Sequence, residues 1–180
     1  MLKGEKVLLR PLREPDFEAW YRAGAENVDI SLMAGGDWFP YTIEAARSRW
    51  HSTITASPDQ RITFAIEVEG VYAGQVALRD IDRRSQHAWL AISLDADHVG
   101  QGYGRDAVRV LLRWAFEIQN FNRISLETWA INERAIRSYR AVGFVEEGRM
   151  REVIWIDGRF VDVIQMGMLR REWRAANKER

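Results

Sequence analysis

The sequence has 180 residues, of which 47% are hydrophobic and 29% charged, a length and balance typical of one globular domain. Lysine plus arginine and aspartate plus glutamate each number 26, and this zero net charge argues against a nucleic-acid-binding protein. The absence of cysteine excludes disulfides, thiolate metal sites and a cysteine nucleophile. The histidines lack metal-ligand spacing, so we expect no metal site. The chain has neither a long apolar run nor a leader-like start, so we expect a cytoplasmic protein without membrane contact.

The first half of the sequence carries signals for one strand, two helices and a hairpin. Residues 6–12 predict a strand, and Pro15 favours the start of a helix directly after it. Thr42 is a suitable N-cap for a second helix. Two largely apolar runs, 62–68 and 71–78, predict strands that are joined by a tight turn.

A glycine-rich turn, Val99-Gly100-Gln101-Gly102-Tyr103-Gly104, joins a predicted strand over 88–94 to an amphipathic helix predicted over about 103–118. Glycine lets the backbone approach a ligand closely, and the N–H groups and dipole of a helix start favour an anion. Arg105 adds a positive charge that Asp106 opposes, so we expect the backbone amides to supply most of the binding. The turn is neither a Walker A motif nor a dinucleotide-binding fingerprint. A turn without any ligand is an alternative that the pattern leaves open.

A second group of polar residues follows a strand predicted over 124–129. Glu127 lies near the end of this strand, Asn132 caps the next helix, and Tyr139 lies two turns into that helix. A glutamate and a tyrosine that converge on one cleft can take and give a proton. Each residue also has an ordinary structural interpretation, as a solvated carboxylate, a helix cap or a core aromatic.

The last part of the chain predicts a hairpin and a tail. The helix that begins after Asn132 is expected to end near Gly143, and Asp157-Gly158 is a strong signal for a tight hairpin turn. We expect one domain over residues 1–170 and a polar, frayed tail over 171–180.

Together, the glycine-rich turn and the segment that begins at Asn132 resemble the two CoA-binding segments of the GNAT superfamily of N-acetyltransferases. Residues 99–104 resemble its Arg/Gln-x-x-Gly-x-Gly/Ala loop, and residues 132–144 match every named position of its Asn-x-x-Ala-x-x-x-Tyr-x-x-x-Gly-Phe segment. Residues 146–151 and the Asp157-Gly158 turn are similar to the ribosomal-protein and spermidine N-acetyltransferase branches. This resemblance to the family covers most of the chain.

The resemblance is strong over 94–167 and weak over 27–59, and it implies an α+β fold. Its core is a mostly antiparallel, seven-stranded mixed sheet that splays between strands four and five, with about four helices. The pantetheine arm of acetyl-CoA lies in that gap, and Asn132 hydrogen-bonds near it. Val99 stands where the family often has arginine or glutamine, which removes a possible charge contact to the cofactor. The implied cofactor-binding residues are Leu94, Val99, Gly100, Gln101, Gly102, Tyr103, Gly104, Arg105, Asn132 and Arg137.

The resemblance also implies a mechanism, in which an amine attacks the thioester of acetyl-CoA directly. Glu127 removes the amine's proton, directly or through water, and Tyr139 protonates or hydrogen-bonds the leaving thiolate. Asp95 is the alternative base. A backbone N–H near Leu94 polarises the thioester carbonyl.

The acceptor is less well defined. In the family the segment between the first two helices contributes to acceptor specificity, and here it contains Asp29, Asp37, Trp38 and Phe39. Acids and aromatics suit a cationic amine, although an ordinary acidic loop is the alternative. A protein N-terminus, a polyamine or another small amine is the expected acceptor, and a homodimer is possible. A non-catalytic acyl-CoA-binding sensor or assembly subunit is the alternative function.

Overall fold

An eight-stranded sheet runs through the part of the chain that the structure describes, residues 1–28, 32 and 40–177. It has the order β1-β2-β3-β4-β5-β6-β8-β7, in which β5 and β6 are parallel and all other neighbours antiparallel. The predicted mixed, mostly antiparallel sheet is confirmed, with one strand more than expected because the very short β1 pairs with β2. The strands of this computed structural model are β1 (Leu2–Lys3), β2 (Leu8–Pro11), β3 (Arg61–Val68), β4 (Val71–Asp82), β5 (His87–Leu94), β6 (Arg123–Trp129), β7 (Val145–Ile156) and β8 (Arg159–Leu169).

Five α-helices lie within the described ranges, and none of them is long and apolar enough to cross a membrane. The helix predicted from residue 103 is confirmed, although its last turn is π-helical rather than α-helical. Thr42 caps the second helix as predicted, its hydroxyl accepting a hydrogen bond of 3.2 Å from the N–H of Ala45. The helices are α1 (Phe17–Tyr21), α2 (Ile43–Ile54), α3 (Tyr103–Arg113), α4 (Glu133–Val142) and α5 (Arg170–Asn177).

The structure differs from the expected frayed tail, because residues up to Asn177 form α5. Trp173 is buried in the core against the ring of Phe116, and its indole N–H donates to the carboxylate of Glu117 at 3.1 Å. One buried tryptophan therefore holds a helix whose composition is otherwise polar, since an aromatic side chain buries a large apolar area.

The sheet opens between β5 and β6. These two strands pair only where both begin, at His87↔Arg123, Ala88↔Ile124 and Trp89↔Ser125. Beyond these pairs β5 remains bonded to β4 and β6 to β8, so the two edges that face each other diverge and have no strand partner in the described part of the chain. The predicted gap between strands four and five of the core sheet is this opening.

The two faces of the sheet carry different side chains. Leu78, Leu90 and Leu126 are buried in one core with residues of α3. Neighbouring side chains along a strand point to opposite faces, and the register aligns Arg79 with Trp89 and Trp89 with Ser125. Arg79, Trp89 and Glu127 therefore share the face opposite α3.

A smaller core holds α1 and α2 together, and a buried ion pair joins it to the sheet. Phe17, Ala46 and Trp50 form this core. The guanidinium of Arg10 donates two parallel hydrogen bonds of 2.8 Å to the carboxylate of Asp16, and both side chains are almost fully buried. Arg10 also pairs with Glu67 on β3.

We expect Asp16→Ala to lower the free energy of unfolding by about 3–5 kcal/mol, because it leaves the buried Arg10 cation short of a partner. Asp59→Ala is the control, since Asp59 is 82% exposed in its pair with Arg83 and such pairs contribute at most about 1 kcal/mol. Urea unfolding monitored by tryptophan fluorescence measures both. Equal losses for the two variants would contradict the assignment.

The same ion pair makes stability depend on pH. Burial alone raises the pKa of the Asp16 carboxyl, but hydrogen bonds from Arg10 and the Arg13 backbone outweigh it and hold the pKa below its ordinary value. The contribution of Asp16 is therefore complete above the unfolded-state pKa of about 3.9 and is lost as the pH falls through the lower folded-state pKa.

Candidate active site

A cavity of about 630 Å³ lies in the gap between β5 and β6. The free edges of both strands form two of its walls, and the starts of α3 and α4 form the others. Of the cofactor-binding residues predicted from the sequence, Leu94, Val99, Gly100, Gln101, Gly102, Gly104, Arg105, Asn132 and Arg137 line this cavity, together with both predicted catalytic residues, Glu127 and Tyr139.

The glycine-rich turn forms one end of the cavity. Gly100 and Gly102 have φ angles of 86° and 85°, in the left-handed region that favours glycine. Gly102 is the N-cap of α3, and no side chain caps this helix. The first N–H groups of a helix have no partner within it, so those at the start of α3 are available to an anion in the cavity.

Two contacts fix the turn to the N-terminal strand. The ammonium of Lys6 donates to the carbonyl of Gln101 at 3.1 Å. The carboxylate of Asp106 is buried and accepts hydrogen bonds from the backbone N–H groups of Lys6 and Val7 at 2.7 and 3.0 Å. Asp106 therefore anchors α3, a role that was not expected, and Arg105 remains exposed beside the turn without an acid partner among the described residues.

Tyr103 differs from the other predicted cofactor residues. Its side chain packs against the core and lies 5.9 Å from the ring of His98. The residue does not line the cavity, so only its backbone N–H, in the first turn of α3, is offered to a ligand there.

Glu127 lies on β6 and reaches the cavity from the face opposite α3. It is half-buried, and one of its carboxylate oxygens accepts a hydrogen bond of 3.0 Å from the side-chain amide of Gln165 on β8. The other oxygen has no hydrogen-bond donor within the described ranges. The hydrogen bond from Gln165 holds this carboxylate in place, and its second oxygen can accept a proton.

Tyr139 reaches the cavity from the α3 side of the sheet, where it packs against the main core and the ring of Phe144. The side chain of Asn132 accepts from the N–H of Ala135 at 3.1 Å and so fixes the start of α4. Burial raises the pKa of the Tyr139 hydroxyl to about 12. The hydroxyl, which has no hydrogen-bond partner in the described part of the chain, therefore stays protonated and can donate.

Asp95, the alternative base, does not line the cavity. Its carboxylate accepts from the backbone N–H of His98 at 3.2 Å and pairs with the ring of the same histidine. The backbone N–H of Asp95 donates to the carbonyl of Ala73 at 3.1 Å. Because consecutive N–H groups along a strand point to opposite sides, the N–H of Leu94 faces the gap.

The four predicted acceptor-binding residues, Asp29, Asp37, Trp38 and Phe39, lie outside the described residues. Leu32, which is described, is in contact with the cavity wall. The indole N–H of Trp129, which lines the cavity, donates to the carbonyl of Leu32 at 3.0 Å.

Sequence reasoning missed several side chains on the cavity wall. Arg79 is one of them, and it enters through the pairing of β4 with β5. Ser138 is another, and it lies four residues after Arg134, on the same face of α4, where both line the cavity. Within the described ranges, no group of three or more His, Cys, Asp or Glu side chains forms a metal site.

Comparisons with known proteins agree with this geometry. A family model described as an acetyltransferase (GNAT) domain matches residues 6–145. The spermidine N(1)-acetyltransferase of Escherichia coli (strain K12) is 26% identical over 180 residues, covering 99% of this chain and 94% of that protein. The putative ribosomal N-acetyltransferase YdaF of Bacillus subtilis (strain 168) is 28% identical over 177 residues, 94% of each chain.

A solved structure is also similar over nearly the whole length. Spermidine N-acetyltransferase from Vibrio cholerae, in complex with CoA and spermine, superposes with a TM-score of 0.84 at 26% identity, covering 94% of this chain and 99% of that chain. Since the family model spans most of the sequence, the protein belongs to the GNAT acetyltransferase family and is an acyl-CoA-dependent N-acetyltransferase with acetyl-CoA as its co-substrate.

Proposed function

We propose that the protein transfers the acetyl group of acetyl-CoA directly to a primary amine, with Glu127 as the base and the Tyr139 hydroxyl as the hydrogen-bond donor to the leaving thiolate. One observation carries this proposal. The two side chains belong to opposite faces of the sheet and line one cavity, because the sheet is open between β5 and β6. A thioester in the gap has a base on one side and a hydrogen-bond donor on the other.

The cavity offers complementary groups along the length of acetyl-CoA. The uncapped start of α3 suits the pyrophosphate, and Arg105 and Arg137 lie on the wall nearby. The free edges of β5 and β6 offer backbone groups to the amides of the pantetheine arm, as an added strand would use them. The side-chain amide of Asn132 lines the same stretch.

The reaction divides between the two faces. The amine nitrogen attacks the thioester carbon, its excess proton passes to Glu127, and the C–S bond breaks to release CoA. The N–H of Leu94 stabilises the oxyanion that forms on the carbonyl oxygen. An ordinary thiol has a pKa of about 8.5, below the value of about 12 for Tyr139. Tyr139 is the weaker acid, so it acts chiefly by donating a hydrogen bond to the sulfur as negative charge develops there.

The acceptor is a primary amine that enters from the Glu127 face. The similar proteins named spermidine N-acetyltransferases support a small amine. The Trp129–Leu32 hydrogen bond supports an entrance near Leu32, since it ties this residue to the cavity wall.

Release of free thiol from acetyl-CoA, followed with a panel of primary amines, tests this function. We expect release that depends on the amine and initial velocities that fit a ternary complex, because the chain has no cysteine to carry an acetyl group. A parallel-line pattern, with acetyl-enzyme formed in the absence of amine, would contradict direct transfer.

Gly102→Ala should weaken acetyl-CoA binding about tenfold, because alanine disfavours a positive φ and displaces the N–H groups at the start of α3. Gly70→Ala is a matched control: Gly70 has the same φ of 85°, and a Cβ there meets nothing within 4 Å. Calorimetric titration with CoA should separate the two variants. If both bind CoA as the wild type does, the turn is not the phosphate site.

A further inference from the structure

Arg79 lies on the acceptor side of the cavity, away from the phosphate site. It pairs with Trp89 near the start of β5, whereas the glycine-rich turn follows Leu94 at the other end. Five residues of strand separate these levels by about 16 Å. Its neighbour Leu78 is buried on the α3 side, so the side chain of Arg79 belongs to the Glu127 face. A cation at this place is not positioned for the phosphates of CoA.

The charge of Arg79 is not cancelled by its surroundings. Its partner Asp80 is 64% exposed and Arg79 itself 39% exposed, so water weakens this pair. Arg61 lies directly opposite Arg79 on β3. Burial lowers the pKa of the Arg61 guanidinium, and the charge of Arg79 lowers it further by more than Asp80 raises it.

Arg61 lies on the side of Arg79 away from the gap and lines a separate pocket. Its Nε donates to the hydroxyl of Thr63 at 3.0 Å, and it forms no ion pair within the described ranges. The Asp80 carboxylate thus pairs with Arg79 alone among the described residues and is exposed to water. The part of the cavity beside Arg79 is suited to an anion rather than to a second ammonium.

The negative charge on the cavity wall belongs to Glu127. Among the described residues that line the cavity it is the only carboxylate. Arg79 and Glu127 lie two strands apart and two residues along, and β5 and β6 diverge at Glu127, so their Cα atoms are separated by about 12 Å or more. The side chains of Arg79 and Glu127, with a short molecule bound between them, can span this distance. A polyamine would instead bring a further ammonium against Arg79.

We propose that the acceptor carries a carboxylate close to its primary amine, and that Arg79 binds this carboxylate while Glu127 receives the proton of the amine. This inference rests on the proposed function and narrows its acceptor class. A guanidinium matches a carboxylate with two parallel hydrogen bonds. The acceptor is then a free amino acid, or a peptide N-terminus followed by an acidic residue, and both present the same chemistry.

Three amines of equal length test the inference: γ-aminobutyrate, putrescine and n-butylamine, which end in a carboxylate, an ammonium and a methyl group. Shorter and longer members of each series vary the distance between the amine and the terminal group. A second arm uses tripeptides with a free N-terminus that differ only in glutamate or lysine at the second position, and it separates free amino acids from peptides. Free-thiol release gives kcat/KM for each amine. Arg79→Gln and Arg79→Glu remove and reverse the charge, and Arg83→Gln is the control for loss of a nearby arginine.

For the wild type we expect kcat/KM for the carboxylate-bearing amine of the best length to exceed that of the matched alkylamine and diamine by about tenfold or more. Arg79→Gln should bring these ratios to within about threefold, Arg79→Glu should favour the diamine, and Arg83→Gln should keep the wild-type order. Faster reaction of putrescine or of the lysine peptide with the wild type would overturn the inference while leaving amine acetylation intact. If none of the amines causes release of thiol, that result would instead count against the proposed function. An unchanged acetyl-CoA-induced rise in melting temperature shows that each variant is folded.

Discussion

Replacing Glu127 with glutamine is expected to lower kcat/KM for the amine by about 10²–10⁴-fold, the usual contribution of a positioned general base. Glutamine keeps the size of the side chain and its contact with Gln165, but it cannot take a proton. Affinity for CoA should change little, since Glu127 lies on the other face of the sheet from α3 and α4. Steady-state kinetics with the best amine of the panel, together with calorimetric titration of CoA, measures both quantities.

Asp95→Asn is the comparison that decides between the two candidate bases. Asp95 holds His98 and does not line the cavity, so its variant should lose much less activity than the Glu127 variant. A large loss for Asp95→Asn beside a small loss for Glu127→Gln would transfer the role of base to Asp95.

Replacing Tyr139 with phenylalanine is expected to lower kcat about 10²-fold while leaving acetyl-CoA affinity within about twofold. The change removes only the hydroxyl, and the ring keeps its packing against Phe144. Because the pKa of Tyr139 is about 12, its ionisation should cause no loss of kcat below about pH 11. Single-turnover rates across the alkaline range measure this directly.

Tyr103→Phe is the matched control for the loss of a tyrosine hydroxyl. The Tyr103 ring packs against the core away from the cavity wall, so kcat should remain close to that of the wild type. If Tyr139→Phe retains full turnover, the leaving thiolate receives no help from this residue and the acid must be sought elsewhere.

Local signals were sufficient for most of the fold. Glycines with positive φ, helix caps and apolar periodicity are local features of the chain, and they predicted α3, α4 and the strands that flank the gap. The short β1 was missed because two residues carry no periodicity, and its pairing with β2 is a tertiary contact. The polar composition of residues 170–177 predicts a tail rather than helix α5, because the burial of Trp173 and the hydrogen bond from Arg170 to the Phe121 carbonyl are tertiary contacts.

The candidate site was predictable only in the parts that follow each other along the chain. The glycine-rich turn and the segment from Glu127 to Tyr139 are continuous in sequence, and their patterns are specific. Arg79 lines the cavity because the register of β4 against β5 places it there, and Trp129 forms a hydrogen bond with Leu32, which is distant in sequence. Neither contact has a signal in the sequence. The orientation of the Tyr103 ring, away from the cavity, depends likewise on a tertiary contact, its packing against His98.

A crystal structure of the protein with CoA bound is the most direct test of the proposed mechanism. The pantetheine arm is expected to lie between β5 and β6, with the pyrophosphate at the N–H groups that begin α3. The sulfur should lie within hydrogen-bond distance of the Tyr139 hydroxyl, with Glu127 facing it from the other side of the sheet. CoA bound outside this gap, or with its sulfur remote from both side chains, would contradict the proposed mechanism.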